Sequence, residues 1–326
     1  MQSSLWQPTA SVQNLHRRAE IVWHIRQFFH QRGVVEVHTP LLSRDTVIDR
    51  HIDPLALPAA QLGLPQLGDQ PFFLQTSPEF GMKRLLASGM TAIYELKSVF
   101  RAGERGAHHN PEFTMLEWYR VGDDLAGGIQ LLSELVQNVL GVSQVELTTY
   151  QRCFRQHVGC DPLQASVAEL AAAAVANRLG VARDWSGDRD DWLNLLFAEV
   201  VQPQLGQQQP TIVSHYPASQ SALAQLSSDD PRTAERYELF YRGVELANGY
   251  HELLDARELA ARNAATADQR SADGKSPLPR DSRLLAAMSA GLPACSGCAL
   301  GLDRLLMVAW NAHSIDEVIA FPIERA

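Results

Sequence analysis

The sequence has few cysteines, and they form no disulfide pattern. Its 326 residues include only Cys153, Cys160, Cys295 and Cys298, too few for a disulfide scaffold in a chain of this length. Cys295 and Cys298 form a Cys-x-x-Cys pair, but no second pair has zinc-site spacing, so incidental thiols are favoured over metal ligands. A disulfide-rich secreted protein is therefore excluded, and a zinc module is disfavoured.

The sequence also lacks any apolar run near the length of a bilayer span. Residues 1–8 contain no basic region followed by an apolar stretch, so the N-terminus does not have the pattern of a secretory signal. Hydrophobic residues make up 45% and charged residues 20%, the balance of a soluble globular protein. We expect a cytoplasmic protein with no membrane partner.

Positive charge is scarce as well. The chain has 28 Lys and Arg against 37 Asp and Glu, a formal net charge of −9 at pH 7. Proteins that bind a long phosphate backbone usually gain affinity from a basic surface, because binding releases condensed counterions. The charge balance disfavours tRNA or DNA as a stable partner and favours a small nucleotide or an acidic protein, although a local basic patch around Arg101 and Arg105 is compatible with it.

Hydrophobic periodicity predicts alternating helices and strands with no repeat or linker. Apolar positions between Asn14 and Arg32 recur at helical spacing, and Gly33 supplies a stop. A β-branched run over 33–40 predicts a strand that ends at Pro40, and 54–71 has the composition of a loop. Further helices are predicted at 81–88, 126–140, 167–179, 190–200 and 256–272, and further strands at 72–75, 93–100, 112–119, 211–215 and 237–246. The fold class we predict is a single α+β domain over residues 1–326, with helices flanking an antiparallel sheet.

Two arginines lie where a phosphate could be bound. Arg101 follows the strand 93–100, whose polar loop to 112–119 predicts a long antiparallel hairpin. Arg304 follows a segment in which Gly297, Ala299 and Gly301 alternate, so that the backbone could approach a ligand closely. A guanidinium is always charged and offers donors matched to phosphate oxygens. A lone arginine at a strand end is more often a surface ion pair.

Two carboxylate motifs point to cations. Glu117 and Tyr119 lie on the same face of a predicted strand and could hold an ammonium, the alternative being a solvated strand face. Glu245 and Glu252 flank an Asn248–Gly249 turn signal, across which they could converge on a divalent cation that bridges phosphates. The alternative for this pair is two surface glutamates beside a hairpin turn.

These segments resemble motifs of the class II aminoacyl-tRNA synthetases, most closely the lysyl type. That type reads approximately Phe-Arg-Asn-Glu then His-Asn-Pro-Glu-Phe-Thr at motif 2, which residues 99–101 and 109–114 match, and Gly-x-Gly-x-Gly-x-Asp-Arg at motif 3, which 297–304 matches. Residues 77–85 repeat its Ser-Pro-Glu and Met-Lys-Arg-Leu runs. The helix and strand that end at Pro40 are similar to motif 1, the dimer motif. The resemblance covers essentially the whole chain.

The resemblance implies that ATP and Mg²⁺ are used to form an acyl-adenylate. Arg101 would reach the α-phosphate and Arg304 the γ-phosphate, and Asn110 would fix either the nucleotide or the reacting carboxylate. Positioning and charge neutralisation suffice for this reaction, so no protein nucleophile or base is needed. Further ATP contacts are implied for Ala102, Gly103, Glu245, Leu246 and Gly301, and metal contacts for Glu245 and Glu252.

The resemblance also implies a lysine-like substrate. Glu117 and Tyr119 would hold its side-chain amine, and Glu79 its other amine. Two positions depart from the lysyl pattern: Ala102 and Gly103 replace Asn-Glu, so their backbone groups or Glu104 would contact adenine, and Ala299 replaces a glycine, which reshapes the amino-acid pocket and disfavours plain α-lysine. The implied substrate-binding set is Ser77, Glu79, Glu117, Tyr119, Glu252 and Ala299.

The chain begins only about fourteen residues before its first predicted helix, whereas the anticodon-reading barrel of lysyl-type enzymes needs five strands, so we expect no such barrel. In this the chain resembles the shortened lysyl-type paralogues, which ligate (R)-β-lysine to a lysine of translation elongation factor P. The resemblance implies a homodimeric ligase with elongation factor P as acceptor partner and no stable tRNA binding.

Two alternatives have the same size or fold. An ammonia-dependent asparagine synthetase takes an acidic substrate, which the carboxylates of Glu79 and Glu117 would repel. A non-catalytic regulator that binds an amino acid or nucleotide would be expected to lack Arg101 or Arg304, and both are present.

Overall fold

The computed structural model describes residues 5–180, 185 and 187–326. Residues 1–4 lie outside this range. They belong to the N-terminal segment that we interpreted as lacking a secretory signal. The chain divides into two compact units, a first unit of Met1–Gly122 with Leu253–Ala326 and a second unit of Asp123–Glu252. The single domain over 1–326 stays a prediction.

The chain contains both helices and mainly antiparallel strands, as the α+β prediction expects. The strands are β1 (Val35–Glu36), β2 (Leu42–Ser43), β3 (Ala56–Leu57), β4 (Phe72–Leu74), β5 (Ala92–Phe100), β6 (Glu112–Val121), β7 (Glu146–Thr149), β8 (Thr211–Pro217), β9 (Thr233–Tyr241), β10 (Val244–His251) and β11 (Cys295–Gly301). The helices are α1 (Val12–His30), α2 (Glu79–Ala87), α3 (Leu125–Leu140), α4 (Tyr150–Val158), α5 (Val167–Ala176), α6 (Arg189–Leu196), α7 (Ala256–Ala272), α8 (Arg283–Gly291) and α9 (Leu302–Trp310). No helix in the described ranges is long and apolar enough to cross a bilayer.

The first unit is built on the strand order β1, β5, β6, β11. β5 and β6 form the predicted antiparallel hairpin, from Ala92 opposite Arg120 to Phe100 opposite Glu112. One face of this hairpin is apolar because α1 packs on it: the Phe29 ring stacks on Tyr94 at 4.5 Å and lies 5.6 Å from Trp118. Side chains alternate along a strand, so the opposite face carries the intervening residues, which include the predicted site.

The second unit is built on the strand order β7, β8, β9, β10, with β7 parallel to β8 and the other pairs antiparallel. Its core joins these strands to α4, α5 and α6 through aromatic packing. The rings of Tyr150 and Phe197 are stacked 4.7 Å apart, and Tyr216 lies 4.9 Å from Tyr150.

The single strand predicted over 237–246 is wrong. The chain instead makes two strands, β9 and β10, joined by a two-residue turn at Arg242 and Gly243, which both have positive φ, 53° and 74°. Tight hairpins need this left-handed backbone, but arginine gives no turn signal. The predicted Asn248–Gly249 turn lies inside β10, where Gly249 faces the Tyr237 ring so closely that a Cβ would stand 2.3 Å from it.

Other predicted boundaries differ by smaller amounts. The strand predicted over 33–40 is reduced to Val35–Glu36, and the predicted loop 54–71 contains β3 and two short 3₁₀ turns. The helix predicted to 200 ends as α6 at Leu196 and continues as a π-helical turn, Phe197–Val201. None of these differences moves a predicted site residue of the first unit.

Candidate active site

The centre of the candidate site in the first unit is the carboxylate of Glu117, which is 2% exposed. Ser77 Oγ donates to Glu117 Oε2 at 2.7 Å, and the Tyr119 hydroxyl donates to Oε1 at 2.6 Å. Strand alternation places Glu117 and Tyr119 on one face, as predicted, and the structure brings Ser77 to the same carboxylate. Glu117 is therefore a buried carboxylate in which each oxygen accepts a hydrogen bond from a hydroxyl group.

Burial, and after it the nearby carboxylate of Glu79, raise the pKa of Glu117 to about 7. The hydrogen bonds from Tyr119 and Ser77 and the charge of Lys83 act in the opposite direction. The carboxyl group therefore changes between its protonated and ionised forms near neutral pH. A bound ammonium would favour its ionised form.

Glu79 lies beside this carboxylate at the start of α2. Ser77 Oγ accepts a hydrogen bond from the Glu79 backbone N–H at 3.0 Å, which orders the turn at Pro78 before the helix. One turn later Lys83 Nζ lies 2.5 Å from Glu79 Oε1, and both side chains are buried. The Ser-Pro-Glu motif thus delivers two side chains to the Glu117 cluster. The run that follows it adds Lys83, to which the sequence interpretation assigned no role.

Small residues of β11 face the acid. Ala299 stands directly opposite Glu117 in the β6–β11 register, and Gly297 stands opposite Tyr119. The predicted alternation of small residues along a strand is confirmed. Because directly opposed residues share a sheet face, the Ala299 methyl group borders the Glu117 carboxylate.

Arg101 lies immediately after β5. Its backbone N–H donates to Pro111 O at 2.9 Å, its guanidinium lies 5.1 Å from the centre of the Phe113 ring, and its Nη1 is 4.0 Å from Glu104 Oε1. Its Nε is buried and has no hydrogen-bond partner in the part of the chain that the structure describes. A buried donor of this kind is costly unless a ligand oxygen satisfies it.

Arg304, on α9, reaches the loop that follows Arg101. Its Nε donates to His108 O at 3.4 Å, and its Nη2 contacts His109 Nε2. Burial and the charge of Arg304 lower the pKa of His109, so the imidazole is neutral at pH 7 and accepts from the guanidinium. The structure therefore brings the two predicted motifs together within the first unit.

The other first-unit residues predicted to contact ATP make hydrogen bonds to backbone groups or occupy turn and cap positions. Asn110 Nδ2 donates to Glu112 O at 2.6 Å, and Asn110 Oδ1 accepts from Ile323 N at 3.0 Å, so this amide joins the loop to the C-terminal segment. The Ala102 N–H donates to Asp53 O at 2.8 Å, and Gly103 adopts a φ of +77°. Gly301 caps the start of α9. Their predicted ATP contacts stay predictions.

Sequence reasoning missed the ion pair made by Asp303, the residue before Arg304. Arg18 Nη1 lies 2.5 Å from Asp303 Oδ1, and Arg18 Nη2 donates to Thr114 Oγ1 at 2.7 Å. Asp303 Oδ2 also accepts from the Thr114 N–H at 2.7 Å. Arg18, Thr114 and Asp303 thus join α1, β6 and α9. In the sequence, the only indication of this contact was the Asp-Arg pair of motif 3.

The second unit contains Glu245, Leu246 and Glu252. β10 runs through Asn248 and Gly249, so the turn predicted between the two glutamates is wrong. Their assignment as metal ligands stays a prediction. Leu246 is buried at a β-bulge, and Glu252 is buried just after β10.

Glu238 is the carboxylate that sequence reasoning missed beside Glu245. It lies on β9, across the hairpin, where burial raises its pKa and the charge of Glu245 contributes. Glu238 accepts from the Tyr216 hydroxyl at 2.6 Å and pairs with Arg236. A turn assigned at Arg242–Gly243 would have revealed this pairing. No group of three or more candidate metal ligands occurs among the described residues.

Fold and site together define the class. A sequence model of the class II tRNA synthetases (D, K and N) matches residues 5–325, so the chain belongs to this family, whose members use ATP. Among its relatives, the elongation factor P–(R)-β-lysine ligase of Sodalis glossinidius (strain morsitans) is 47% identical over 324 residues, 99% of each chain. The protein of the same name from Salmonella paratyphi A (strain ATCC 9150 / SARB42) is 46% identical over 325 residues, 100% of this chain and 99% of the relative.

Proposed function

We propose that this chain activates (R)-β-lysine with ATP and transfers it to a lysine side chain of elongation factor P. The observation that carries the proposal is the buried Glu117, with Ser77 and Tyr119 on its oxygens and Ala299 opposite, in a chain similar from end to end to ligases of that name. The substrate carboxylate would attack the α-phosphate and release pyrophosphate. The acceptor amine would then attack the acyl carbon, form an amide and release AMP and a proton.

The amino acid would be bound through its amines. Glu117 and Tyr119 would hold one ammonium, with Ser77 beside them, and Glu79 would hold the other amine. The substrate contact of Glu252, in the second unit, stays a prediction. This arrangement disfavours an asparagine synthetase, since an acidic substrate would be repelled by the same carboxylates.

ATP would be held by the two arginines. The buried, unpartnered Nε of Arg101 supports a role at the α-phosphate, and Arg304 would reach the γ-phosphate. Backbone groups of Ala102, Gly103 and Gly301 would contact the nucleotide, and Asn110 would hold the loop in place. The ATP contact of Leu246, in the second unit, stays a prediction. The reaction needs no protein base, because positioning and charge neutralisation are sufficient.

We infer that Mg²⁺ accompanies ATP. Mg²⁺ bound with phosphates usually takes only one or two protein carboxylates, which is consistent with the lack of a larger ligand cluster in the described residues. Glu245 and Glu252 would be its protein ligands. When bound, the ion would neutralise phosphate charge.

The functional unit would be a cytoplasmic homodimer formed through α1 and the edge strand β1. Trp23 is 56% exposed and Val35 52%, and Trp23 lines a surface pocket with His16, Ala19, Glu20 and His24. Exposed apolar residues beside an unpaired strand edge favour a symmetric contact. Sedimentation of the wild type against Trp23→Glu tests this: a variant that stays dimeric would contradict it.

The first experiment is ATP–pyrophosphate exchange with (R)-β-lysine, α-lysine and aspartate in parallel, followed by transfer of labelled amino acid to elongation factor P and to tRNA. We expect the strongest exchange with (R)-β-lysine and label on the protein. Exchange with aspartate alone would favour the synthetase of an acidic amino acid. No exchange with any of the three would leave a regulatory binding protein.

A further inference from the structure

We propose that Lys83 is a positioning residue of the amine-binding site, which pairs with Glu79 and leaves Glu117 to receive the ammonium of the incoming amino acid. The inference rests on the proposed function only in its choice of an amine substrate. Lys83 is 1% exposed, and its Nζ lies 2.5 Å from Glu79 Oε1. A fully buried lysine beside a ligand-binding carboxylate requires an explanation, because lysine is almost never buried without a partner.

The helix geometry explains why Lys83 and Glu79 meet. Glu79 is the first residue of α2 and Lys83 stands four positions later, so their side chains lie on one helix face. Lys83 Nζ also lies 5.8 Å from the centre of the Tyr119 ring. Lys83 is therefore part of the wall of the Glu117–Tyr119 site.

The two neighbouring carboxylates are held differently. Glu79 forms an ion pair with Lys83, whereas Glu117 accepts hydrogen bonds from the hydroxyls of Ser77 and Tyr119. Two buried carboxylates without a cation would tend to share one proton and lose one ionised acceptor. Lys83 opposes this, because it pairs with Glu79 and its positive charge lowers the pKa of Glu117.

A third acid faces the site from β5. Glu95 stands opposite Glu117 in the β5–β6 register. Glu95 is paired with Lys97 at 2.9 Å and accepts from the Thr39 backbone and hydroxyl at 2.9 and 2.7 Å. Each acid beside Glu117 in the first unit thus has its own lysine, and β11 opposes Glu117 with the uncharged Ala299.

A purely structural role would not require a lysine, since well-packed apolar residues often replace a buried ion pair without loss of stability. The distinguishing property is the pH dependence of substrate binding. Lys83 lowers the pKa of Glu117, so its removal should move the ionisation of Glu117 to higher pH. The KM for the amino acid, which falls as Glu117 ionises, should then fall at a higher pH than in the wild type.

The test compares Lys83→Met, Lys83→Arg, the charge-balanced Lys83→Met/Glu79→Gln and the control Arg84→Gln, which removes one charge from the exposed neighbour. Pyrophosphate exchange is measured between about pH 6 and pH 9, with separate KM values for amino acid and ATP. We expect Lys83→Met to raise the amino-acid KM about tenfold at neutral pH, with partial recovery at high pH and an unchanged KM for ATP. Lys83→Arg should keep the wild-type profile.

The double variant keeps the proposal falsifiable if the single variant folds poorly. With both Lys83 and the charge of Glu79 removed, the pH at which the amino-acid KM falls should return toward the wild-type value. An unchanged profile in Lys83→Met, or an equal rise of both KM values, would overturn the proposal. If the wild type shows no exchange, the proposed reaction fails, and calorimetric lysine binding over the same pH range tests Lys83 separately; no lysine binding would overturn this inference too.

Discussion

The two compact units share the charge of the chain unequally. Residues 123–252 contain 17 acidic residues, eight arginines and no lysine, so this unit alone accounts for the formal charge of −9. The rest of the chain has 20 acidic and 20 basic residues and no net charge. Arg101 and Arg304 both belong to the unit without net charge. A total charge therefore says little about a phosphate site, because the site depends on the few groups nearest to it.

The units also differ in how they treat a buried glutamate. Glu117 and Glu238 each accept from a tyrosine hydroxyl at 2.6 Å, and burial raises the pKa of both. Glu238 is paired directly with Arg236, whereas the lysine near Glu117 is paired with Glu79. We interpret Glu238 as an acid whose charge is already matched within the protein, and Glu117 as an acid whose charge a ligand is to match.

The largest effect should come from breaking the matched pair. Arg236→Met leaves Glu238 buried without its cation, which should lower the free energy of unfolding by about 3 kcal/mol in urea titrations followed by tryptophan fluorescence. Arg232→Met is the control, because that side chain is 51% exposed and its pair with Asp230 lies at the surface. Equal losses in the two variants would contradict the interpretation of Glu238.

In contrast to Arg236→Met, Glu117→Gln should lower the activity and leave the stability of the protein nearly unchanged. The amide oxygen can accept from one of the two hydroxyls, Ser77 or Tyr119, and the amide nitrogen can donate to the other, but the amide cannot bind an ammonium as an ion. We expect kcat/KM for the amino acid to fall by about a hundredfold, the upper range for a hydrogen bond to a charged group, with little change in KM for ATP. A large loss of melting temperature with an unchanged amino-acid KM would place Glu117 with Glu238 instead.

The pH dependence sharpens the same contrast. Glu117 has a pKa of about 7 in the folded protein, so kcat/KM for the amino acid should rise by up to about tenfold per pH unit as pH increases toward 7. The sign for stability is the reverse. Between the ordinary value of 4.5 and about 7 the folded state retains a proton that the unfolded chain releases, so rising pH reduces stability in this window.

Glu117→Gln should therefore be less sensitive to pH in both measurements. Melting temperatures and exchange kinetics of the wild type and the variant are recorded across the same buffers. A wild-type profile that is flat between about pH 5 and pH 7 would show that Glu117 is ionised throughout.

The smallest effect concerns the loop that carries Arg101. Arg105 Nε lies 2.7 Å from Glu324 and its Nη2 lies 3.0 Å from Asp316, which fixes the loop to the C-terminal segment through exposed pairs. Arg105→Ala should raise KM for ATP about twofold to threefold, and the difference from wild type should shrink in high salt. An altered amino-acid KM instead would contradict a role for this contact at the nucleotide.

Local patterns predicted the parts of the site that lie on one element. Alternation within β6 was enough to place Glu117 and Tyr119 together, and the polar loop after Phe100 was enough to predict the β5–β6 hairpin. The β9–β10 hairpin could not be predicted, because its turn uses Arg242, which has no turn preference, while Asn248–Gly249 gave a strong signal inside a strand. The Glu238–Glu245 proximity was missed for the same reason.

The family and most local elements could be predicted from the order of residues alone, since motif spacing, strand alternation and helical periodicity depend on residues close together along the chain. The pairing of charges could not, because it depends on the folded arrangement, which joins Lys83 to Glu79, Arg18 to Asp303 and Arg236 to Glu238. The physical reason is that a buried charge depends on the partner brought beside it, and strand register and helix packing select that partner.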